Sequence, residues 1–186
     1  MELKIIMDEL EKAASTRIDG AVVELGCYAG TTSLFIRRML DALKSPLEFH
    51  VYDSFAGLPE KTIEDSSPAG LQFKAGELAV SKQTFLNNFK KAGLKAPMVH
   101  KGWFADLTPE KVPDNIVFAF LDGDYYDSII DSFKAITPKL VKGSVVIVDD
   151  YQSEALPGAH KAVHTWLQNK DYALSTAHSL AVIRIR

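Results

Sequence analysis

Acidic side chains stand at the ends of several segments whose composition predicts buried strands. Glu24 closes the first of these segments, Asp53 the second and Asp122 the fourth, and the pair Asp149-Asp150 closes the fifth. In an open α/β sheet, ligands bind outside the carboxyl ends of the strands, so we expect these acids to meet at one site. Each acid alone could merely cap a helix or a loop. Together they predict a site for a cation, for hydroxyl groups or for a positively charged ligand.

A loop with two glycines connects the first strand to the following helix. In the segment 24–32, Gly26 and Gly30 let the backbone pass close to a ligand at the helix N-terminus. The third glycine of the dinucleotide-binding pattern is missing, and no lysine follows as in a phosphate-binding loop. The loop predicts a nucleotide-type site in which Glu24 receives a cationic amine and Asp53 accepts hydrogen bonds from ribose hydroxyls. The alternative is a tight turn that binds no ligand.

Alternating helices and strands must hold these residues. The segment 2–16 has apolar residues at spacings of three and four, which predicts a helix, and we expect it to pack on the sheet edge. The alternation predicts a parallel α/β sheet with right-handed crossovers, to which a C-terminal hairpin adds an antiparallel edge. The segment 54–78 is expected to be a long loop. The other predicted helices cover 31–43, 81–92, 126–140 and 160–169, and the predicted strands cover 21–26, 49–53, 98–101, 117–122, 144–150, 172–176 and 179–186.

Composition and charge narrow the class of protein. The 186 residues fit one domain, 1–186, and 47% hydrophobic with 24% charged residues exclude a disordered chain or a fibre. A net charge of −3 lacks the basic excess of a general nucleic-acid binder. No apolar run approaches a membrane span, and the acidic segment at the start lacks the apolar stretch of a signal peptide. We therefore expect a cytoplasmic protein without nucleic-acid or membrane partners. The single cysteine, Cys27, excludes an internal disulfide and a cysteine-based zinc site.

Four further motifs, in this order, make a resemblance to a known family specific. They are Tyr52-Asp-Ser-Phe-Ala-Gly-Leu-Pro59, Lys101-Gly-Trp-Phe104, Leu121-Asp-Gly-Asp-Tyr125 and Val148-Asp-Asp-Tyr151. Together with Glu-Leu-Gly-x-x-x-Gly, they make the segment 22–166 resemble a class I S-adenosylmethionine-dependent methyltransferase. More narrowly, it resembles the macrocin O-methyltransferase (TylF-like) family, which methylates sugar hydroxyls in macrolide and related biosynthesis. The resemblance implies a Rossmann-like α/β fold: a mainly parallel seven-stranded sheet with an antiparallel C-terminal edge and helices on both faces.

The resemblance also implies S-adenosylmethionine as methyl donor and a divalent cation, usually Mg²⁺, between Asp122, Asp149 and Asp150. Neighbouring strands lie about 4.8 Å apart, so the carboxylates at the ends of the fourth and fifth strands can converge and repel one another. A hard cation with oxygen ligands offsets that repulsion and leaves positions for substrate oxygens; Mn²⁺ or Ca²⁺ would also suit the site. The alternative is that these acids merely cap loops. The expected cofactor-binding residues are Glu24, Gly26, Cys27, Tyr28, Gly30, Thr31, Thr32, Asp53, Ser54, Trp103 and Asp122.

Three residues are candidates for the general base. Asp124 lies shortly after Asp122, His160 lies on the helix after the acid pair, and Asp122 itself could take the proton. Trp103 lies where the resemblance implies a wall near the adenine, and it could stack on the purine or belong to the core. Cys27 is expected to be a small packing residue rather than a nucleophile.

We therefore expect an O-methyltransferase that moves the methyl group of S-adenosylmethionine to a hydroxyl of a sugar or glycosylated natural product, assisted by a divalent cation. The alternatives are a catechol- or phenol-type O-methyltransferase, a nucleotide-binding oxidoreductase, and a module that binds the cofactor without catalysis. Many members of the family have a longer N-terminal region that covers the site. Here the loop 54–78 or a second subunit is expected to cover it, and a homodimer is expected because family members often form dimers.

Overall fold

A single sheet of seven strands organises the part of the chain that the computed structural model describes, residues 1–15 and 19–186. The strands are β1 (Ala21–Leu25), β2 (Glu48–Asp53), β3 (Met98–Lys101), β4 (Ile116–Leu121), β5 (Leu140–Val148), β6 (Ala173–Ala177) and β7 (Leu180–Arg184). The α-helices are α1 (Glu2–Ala14), α2 (Thr31–Ala42), α3 (Lys82–Lys91), α4 (Tyr126–Ile136) and α5 (Pro157–Leu167). The strand order is β3-β2-β1-β4-β5-β7-β6. Strands β1 to β5 are parallel, and β7 runs antiparallel to both β5 and β6. The predicted mainly parallel sheet with an antiparallel C-terminal edge is confirmed.

The central strands are buried on both faces, which explains why they are continuously apolar instead of alternating. Every residue of β4 is buried. Its Phe118 and Phe120 face the apolar cluster formed with α1, α2 and α3, whereas Ala119 and Leu121 face the cluster formed with α4 and α5. Helices therefore cover both faces of the sheet, as predicted, and the sheet is a rigid base for the loops at its carboxyl edge.

Several element boundaries differ from those predicted. α4 ends at Ile136 and β5 begins at Leu140, because the Thr137–Lys139 segment with its proline forms a short 3₁₀ turn between them. α5 begins at Pro157, since proline fits the first turn of a helix. The predicted end of the first helix, residue 16, lies outside the described residues.

The predicted position of the first helix at the sheet edge is wrong. α1 packs against β4, β5 and α2, over the middle of the sheet, whereas the edge strands are β3 and β6. Its buried residues Ile6 and Leu10 join the apolar cluster under that face. Among the residues that the structure describes, no helix has the length and apolar character needed to cross a membrane.

The carboxyl ends of β1, β4 and β5 meet at one edge of the sheet. The backbone N–H of Asp122 donates to the carbonyl of Leu25 at 2.8 Å, and the N–H of Asp149 donates to the carbonyl of Leu121 at 2.9 Å. These two bonds extend the ladder one residue beyond β4 and β5. The sheet thus fixes the backbone of both acidic segments, and only their side chains and the following turns remain to be positioned.

Candidate active site

A cavity of about 410 Å³ opens at this edge of the sheet. Its walls come from the segments that follow β1, β2, β3 and β4, and from the first turns of α4. Its volume lies within the range of about 300 to 1,000 Å³ that is usual for small-molecule sites. The predicted site residues that line it are Gly26, Cys27, Tyr28, Asp53, Ser54, Trp103, Asp122 and Asp124.

The glycine loop has the close backbone approach that the sequence predicts. Gly26 has φ +94°, and a Cβ there would lie 1.9 Å from the carbonyl oxygen of Asp122, so a side chain cannot be accommodated. Gly30 has φ +89°, and a Cβ there would lie 2.8 Å from the ring of Phe85. Gly30 and the α2 residues Thr31 and Thr32 are not among the cavity-lining residues. The part of the loop that faces the cavity is thus 26–28.

Asp53 organises this loop from the end of β2. Its Oδ2 accepts hydrogen bonds from the backbone N–H groups of Cys27 at 2.9 Å and Tyr28 at 3.2 Å, and its Oδ1 accepts one from Phe55 at 2.7 Å. Tyr28 has φ 48°, a left-handed conformation that persists only where the surrounding structure holds it. A carboxylate has about four acceptor positions. One position of Asp53 therefore remains for a hydroxyl of a ligand in the cavity.

Glu24 is placed differently from the prediction, in which it ends the first strand and faces the ligand. β1 continues through Leu25, and Glu24 is fully buried and does not line the cavity. The hydroxyl of Ser33 on α2 donates to its Oε2, whereas its Oε1 has no hydrogen-bond partner in the described structure. Burial, followed by the negative charge of Asp53, raises the pKa of Glu24 to about 8. Glu24 thus joins β1 to α2 behind the glycine loop.

The structure also distinguishes between the alternative interpretations of Trp103 and of Cys27. Trp103 is 42% exposed and lines the cavity, so its interpretation as a core residue is wrong. Cys27 is buried, and burial together with the nearby carboxylates raises the pKa of its thiol. The thiol stays protonated and is a poor nucleophile, in line with the expected packing role.

Three carboxylates lie close together at the carboxyl ends of β4 and β5. Asp122, Asp124 and Asp150 each offer an oxygen, and these oxygens all lie within 4.8 Å of one another. Burial, followed by the charges of Asp149 and the other acids, raises the pKa of Asp122 well above its ordinary value. For the same reasons the pKa of Asp124 rises to about 7 and that of Asp150 to about 6. Hard oxygen donors with uncompensated negative charge suit a divalent cation, so the residues present fit such an ion.

Asp149 and His160 lie outside this group of three. The Oδ1 of Asp149 accepts hydrogen bonds from the Asp150 backbone N–H at 2.8 Å and from the Ser179 hydroxyl at 3.2 Å. His160 is exposed on α5 and stacks on Tyr151, with the ring centroids 4.6 Å apart, and it does not line the cavity. Of the predicted bases, only Asp122 and Asp124 therefore face the cavity.

Several cavity residues were missed in the sequence. Asp127 and Asp131 line the cavity from one face of α4, with Ser128 beside them. The spacing of four between the two acids could have identified this face. The loop 57–60 and Leu78 form another wall. Gly57, Leu58 and Pro59 end the motif 52–59 that carries the resemblance, whereas no pattern in the sequence indicates Glu60 or Leu78. The loop predicted to cover the site thus contributes directly to the cavity.

Comparison with known proteins agrees with this geometry. Residues 2–176 match the macrocin-O-methyltransferase (TylF) family. The chain belongs to this family. The TylF family match includes every strand of the cavity edge and each of the acidic residues described above.

Two relatives and one solved structure resemble this TylF-family chain closely. It is 32% identical over 163 residues to the 8-demethyl-8-(2,3-dimethoxy-alpha-L-rhamnosyl)-tetracenomycin-C 4'-O-methyltransferase of Streptomyces olivaceus, covering 84% of this chain and 61% of the relative. It is 30% identical over 166 residues to the mycinamicin III 3''-O-methyltransferase of Micromonospora griseorubida, covering 84% and 64%. The chain thus spans less than two thirds of either relative. The O-methyltransferase NovP shares its fold with a TM-score of 0.85 and 27% identity, over 99% of this chain and 79% of NovP.

Proposed function

We propose that the chain is an S-adenosylmethionine-dependent O-methyltransferase that acts on a hydroxyl of a sugar or glycosylated natural product. The observation that carries the proposal is the shared cavity: the glycine loop 26–28 and the acids Asp122 and Asp124 line the same space. A site for a methyl donor thus lies directly beside carboxylates that can act on an acceptor. The TylF family match supports this function, as do relatives named for O-methylation of a rhamnosylated tetracenomycin and of mycinamicin III.

The methyl donor would occupy the part of the cavity between the glycine loop and Trp103. S-adenosylmethionine supplies a methyl group on a positively charged sulfur. Asp53 has one acceptor position left for a ribose hydroxyl, and the half-exposed ring of Trp103 offers a face for the adenine. Glu24 holds the loop through Ser33 instead of contacting the amino group directly. We therefore assign cofactor contact to Gly26, Tyr28, Asp53 and Trp103.

The carboxylates at the ends of β4 and β5 would hold a divalent cation. We assign Asp122 and Asp150 as ligands, since their oxygens lie within 4.8 Å of each other. Asp149 uses Oδ1 to hold the Asp150 backbone N–H, and its carboxylate lies outside the group of converging oxygens. Mg²⁺ bound there would lower the pKa of an acceptor hydroxyl and orient its oxygen. Two adjacent oxygens of an acceptor, such as those of a sugar diol, would be suitable further ligands for such an ion.

We assign Asp124 as the proton acceptor. It lines the cavity next to the assigned ligands, whereas His160 does not reach the cavity. A carboxylate that lines the cavity beside the acceptor can take the proton of the acceptor hydroxyl during methyl transfer. Asp124 also has φ 58°, a strained backbone conformation of the kind that clusters at functional sites.

Calorimetric titration with S-adenosylhomocysteine, with and without Mg²⁺, tests the cofactor assignment without any knowledge of the acceptor. We expect micromolar binding in both conditions, because the residues assigned to the cofactor are separate from Asp149 and Asp150. A folded protein that binds no S-adenosylhomocysteine in either condition would overturn the proposed function.

Two isosteric variants separate the proposed roles of the acids. Asp124→Asn should bind Mn²⁺ as the wild type does but lose at least about 10²-fold in turnover, as when a general base is removed. Asp150→Asn should lose both Mn²⁺ affinity and turnover. Both variants should bind S-adenosylhomocysteine normally. Equal loss of Mn²⁺ affinity in the two variants would show that Asp124 is a ligand rather than the proton acceptor.

A further inference from the structure

One buried carboxylate of the loop 54–78 stands outside the cavity and outside the functions assigned so far. Asp65 is 1% exposed. Its Oδ1 accepts a hydrogen bond from the backbone N–H of Tyr126 at 2.7 Å. Its Oδ2 accepts hydrogen bonds from the backbone N–H of Thr62 at 3.0 Å and from the Thr62 hydroxyl at 2.7 Å. Both oxygens of Asp65 are therefore used, and one of them reaches a distant element.

The bond to Tyr126 places a negative charge at the N-terminus of α4. Tyr126 is the first residue of this helix, and the preceding residue, Tyr125, provides no side-chain cap. A carboxylate at this position satisfies a free N–H and interacts favourably with the helix dipole. The segment between β4 and α4 carries Asp122 and Asp124. Asp65 thus fixes the far end of the segment that bears two of the three converging carboxylates.

The start of α5 packs against the same bond. A Cβ on Gly158 would lie 1.8 Å from the Oδ1 of Asp65 and 2.7 Å from the backbone nitrogen of Tyr126. A second contact lies beside it, where the Lys161 amine donates to the carbonyl of Glu64 at 2.5 Å. α5 follows the segment that carries Asp149 and Asp150. The loop 54–78 therefore contacts the first turns of α4 and α5, the helices that follow β4 and β5.

We propose that Asp65 is a positioning residue for the cation site. It joins the segment after β4 to the segment after β5, so that the oxygens of Asp122 and Asp150 stay close enough to share one ion. This inference rests on the cation site proposed above. Removing residues that orient metal ligands typically weakens metal binding by about 10- to 100-fold. Because Asp53 and the glycine loop bind the cofactor independently of α5, S-adenosylhomocysteine affinity should change less than about threefold.

Titration of the full chain with Mn²⁺, followed by the electron paramagnetic resonance signal of the free ion, measures this effect without any turnover. Asp65→Ala should weaken Mn²⁺ binding at least about tenfold. Asp65→Asn keeps an oxygen for the Tyr126 N–H, so it should stay within about threefold of the wild type. Glu9→Gln is the matched control: Glu9 is buried and paired with Lys12 and Arg184, away from the acidic strand ends. It should lose stability without losing Mn²⁺ affinity.

Each result has a definite meaning. If Asp65→Ala binds Mn²⁺ like the wild type, Asp65 anchors the loop only, and the inference is refuted. If the wild type itself binds no Mn²⁺, the cation site fails and the inference fails with it. Should Asp65→Ala not fold, Thr62→Val removes one donor to Oδ2 and should weaken Mn²⁺ binding by about threefold. An unchanged affinity in Thr62→Val would then refute the inference.

Discussion

The buried carboxyl group of Glu24 should make the stability of the protein fall as the pH rises. Its pKa is about 8 in the folded protein, against an ordinary value of 4.5. The folded protein therefore binds a proton that the unfolded chain releases at lower pH. The stabilising contribution is fully present below pH 4.5 and is lost as the pH rises through about 8. Replacing Glu24 with glutamine, which has no charge at any pH, should remove this contribution, whereas the smaller decline due to the raised pKa values of Asp124 and Asp150 should remain.

The two pKa values set the size of the effect. A difference of one pKa unit corresponds to about 1.4 kcal/mol. The interval from 4.5 to about 8 thus gives a loss on the order of 5 kcal/mol, an upper limit because local opening would hydrate the carboxylate. Glutamine keeps an acceptor for the Ser33 hydroxyl but buries an unpartnered amide, at a cost of about 1 to 3 kcal/mol at every pH. Glu24→Gln should be less stable than the wild type at acidic pH and more stable at alkaline pH.

Urea unfolding of both proteins from pH 5 to pH 9, in EDTA to exclude cations, measures these differences. The free energies of unfolding should cross as the pH rises, with the wild type losing more stability than the variant. Glu11→Gln, an exposed change on α1, is the control and should follow the wild-type curve. If the curves of the wild type and Glu24→Gln run parallel over the whole range, Glu24 does not contribute to the pH dependence and our interpretation of its burial is wrong.

Other changes test the cavity itself. Gly26→Ala places a Cβ 1.9 Å from the Asp122 carbonyl oxygen at a residue with positive φ. In urea titrations it should lower the free energy of unfolding by about 3 kcal/mol or more. In calorimetry it should abolish S-adenosylhomocysteine binding. Trp103→Ala should weaken that binding by about 3- to 10-fold, and Trp103→Phe by less, if the ring stacks on the adenine; equal affinities would contradict the stacking. EDTA should reduce methyl transfer at least about 10²-fold and Mg²⁺ should restore it, whereas turnover unchanged by the chelator would exclude the cation.

The fold and the glycine loop could be predicted from the sequence because both depend on local patterns. Continuous apolar runs such as β4 indicate strands buried on both faces, and the alternation with helices indicates a parallel sheet. Gly26 is needed because its backbone passes against Asp122, and such a requirement is visible in the sequence as a glycine directly after a strand. The meeting of the acidic residues at one edge of the sheet follows from the parallel direction of the strands that they end.

Contacts between distant segments could not be predicted in the same way. Asp124, and not Asp149, has a carboxylate oxygen close to those of Asp122 and Asp150. This difference depends on the backbone conformation of single residues in the turns after β4 and β5, which a hydrophobic pattern does not predict. Glu24 was expected to face the ligand, but its side chain is buried behind the loop, where the hydroxyl of Ser33 on α2 donates to it. The bond from Asp65 to Tyr126 joins residues 61 positions apart, and it forms only because Gly158 leaves room for the carboxylate.

The most direct test of the central claim is transfer of a radiolabelled methyl group from S-adenosylmethionine to a panel of acceptors. The panel should pair free sugars and glycosylated natural products with catechols, and each should be measured with Mg²⁺ and with EDTA. We predict label on a sugar hydroxyl, dependent on Mg²⁺ and lost in Asp124→Asn. Transfer to catechols alone, or no transfer to any acceptor by a protein that binds S-adenosylhomocysteine, would contradict the proposed sugar O-methyltransferase.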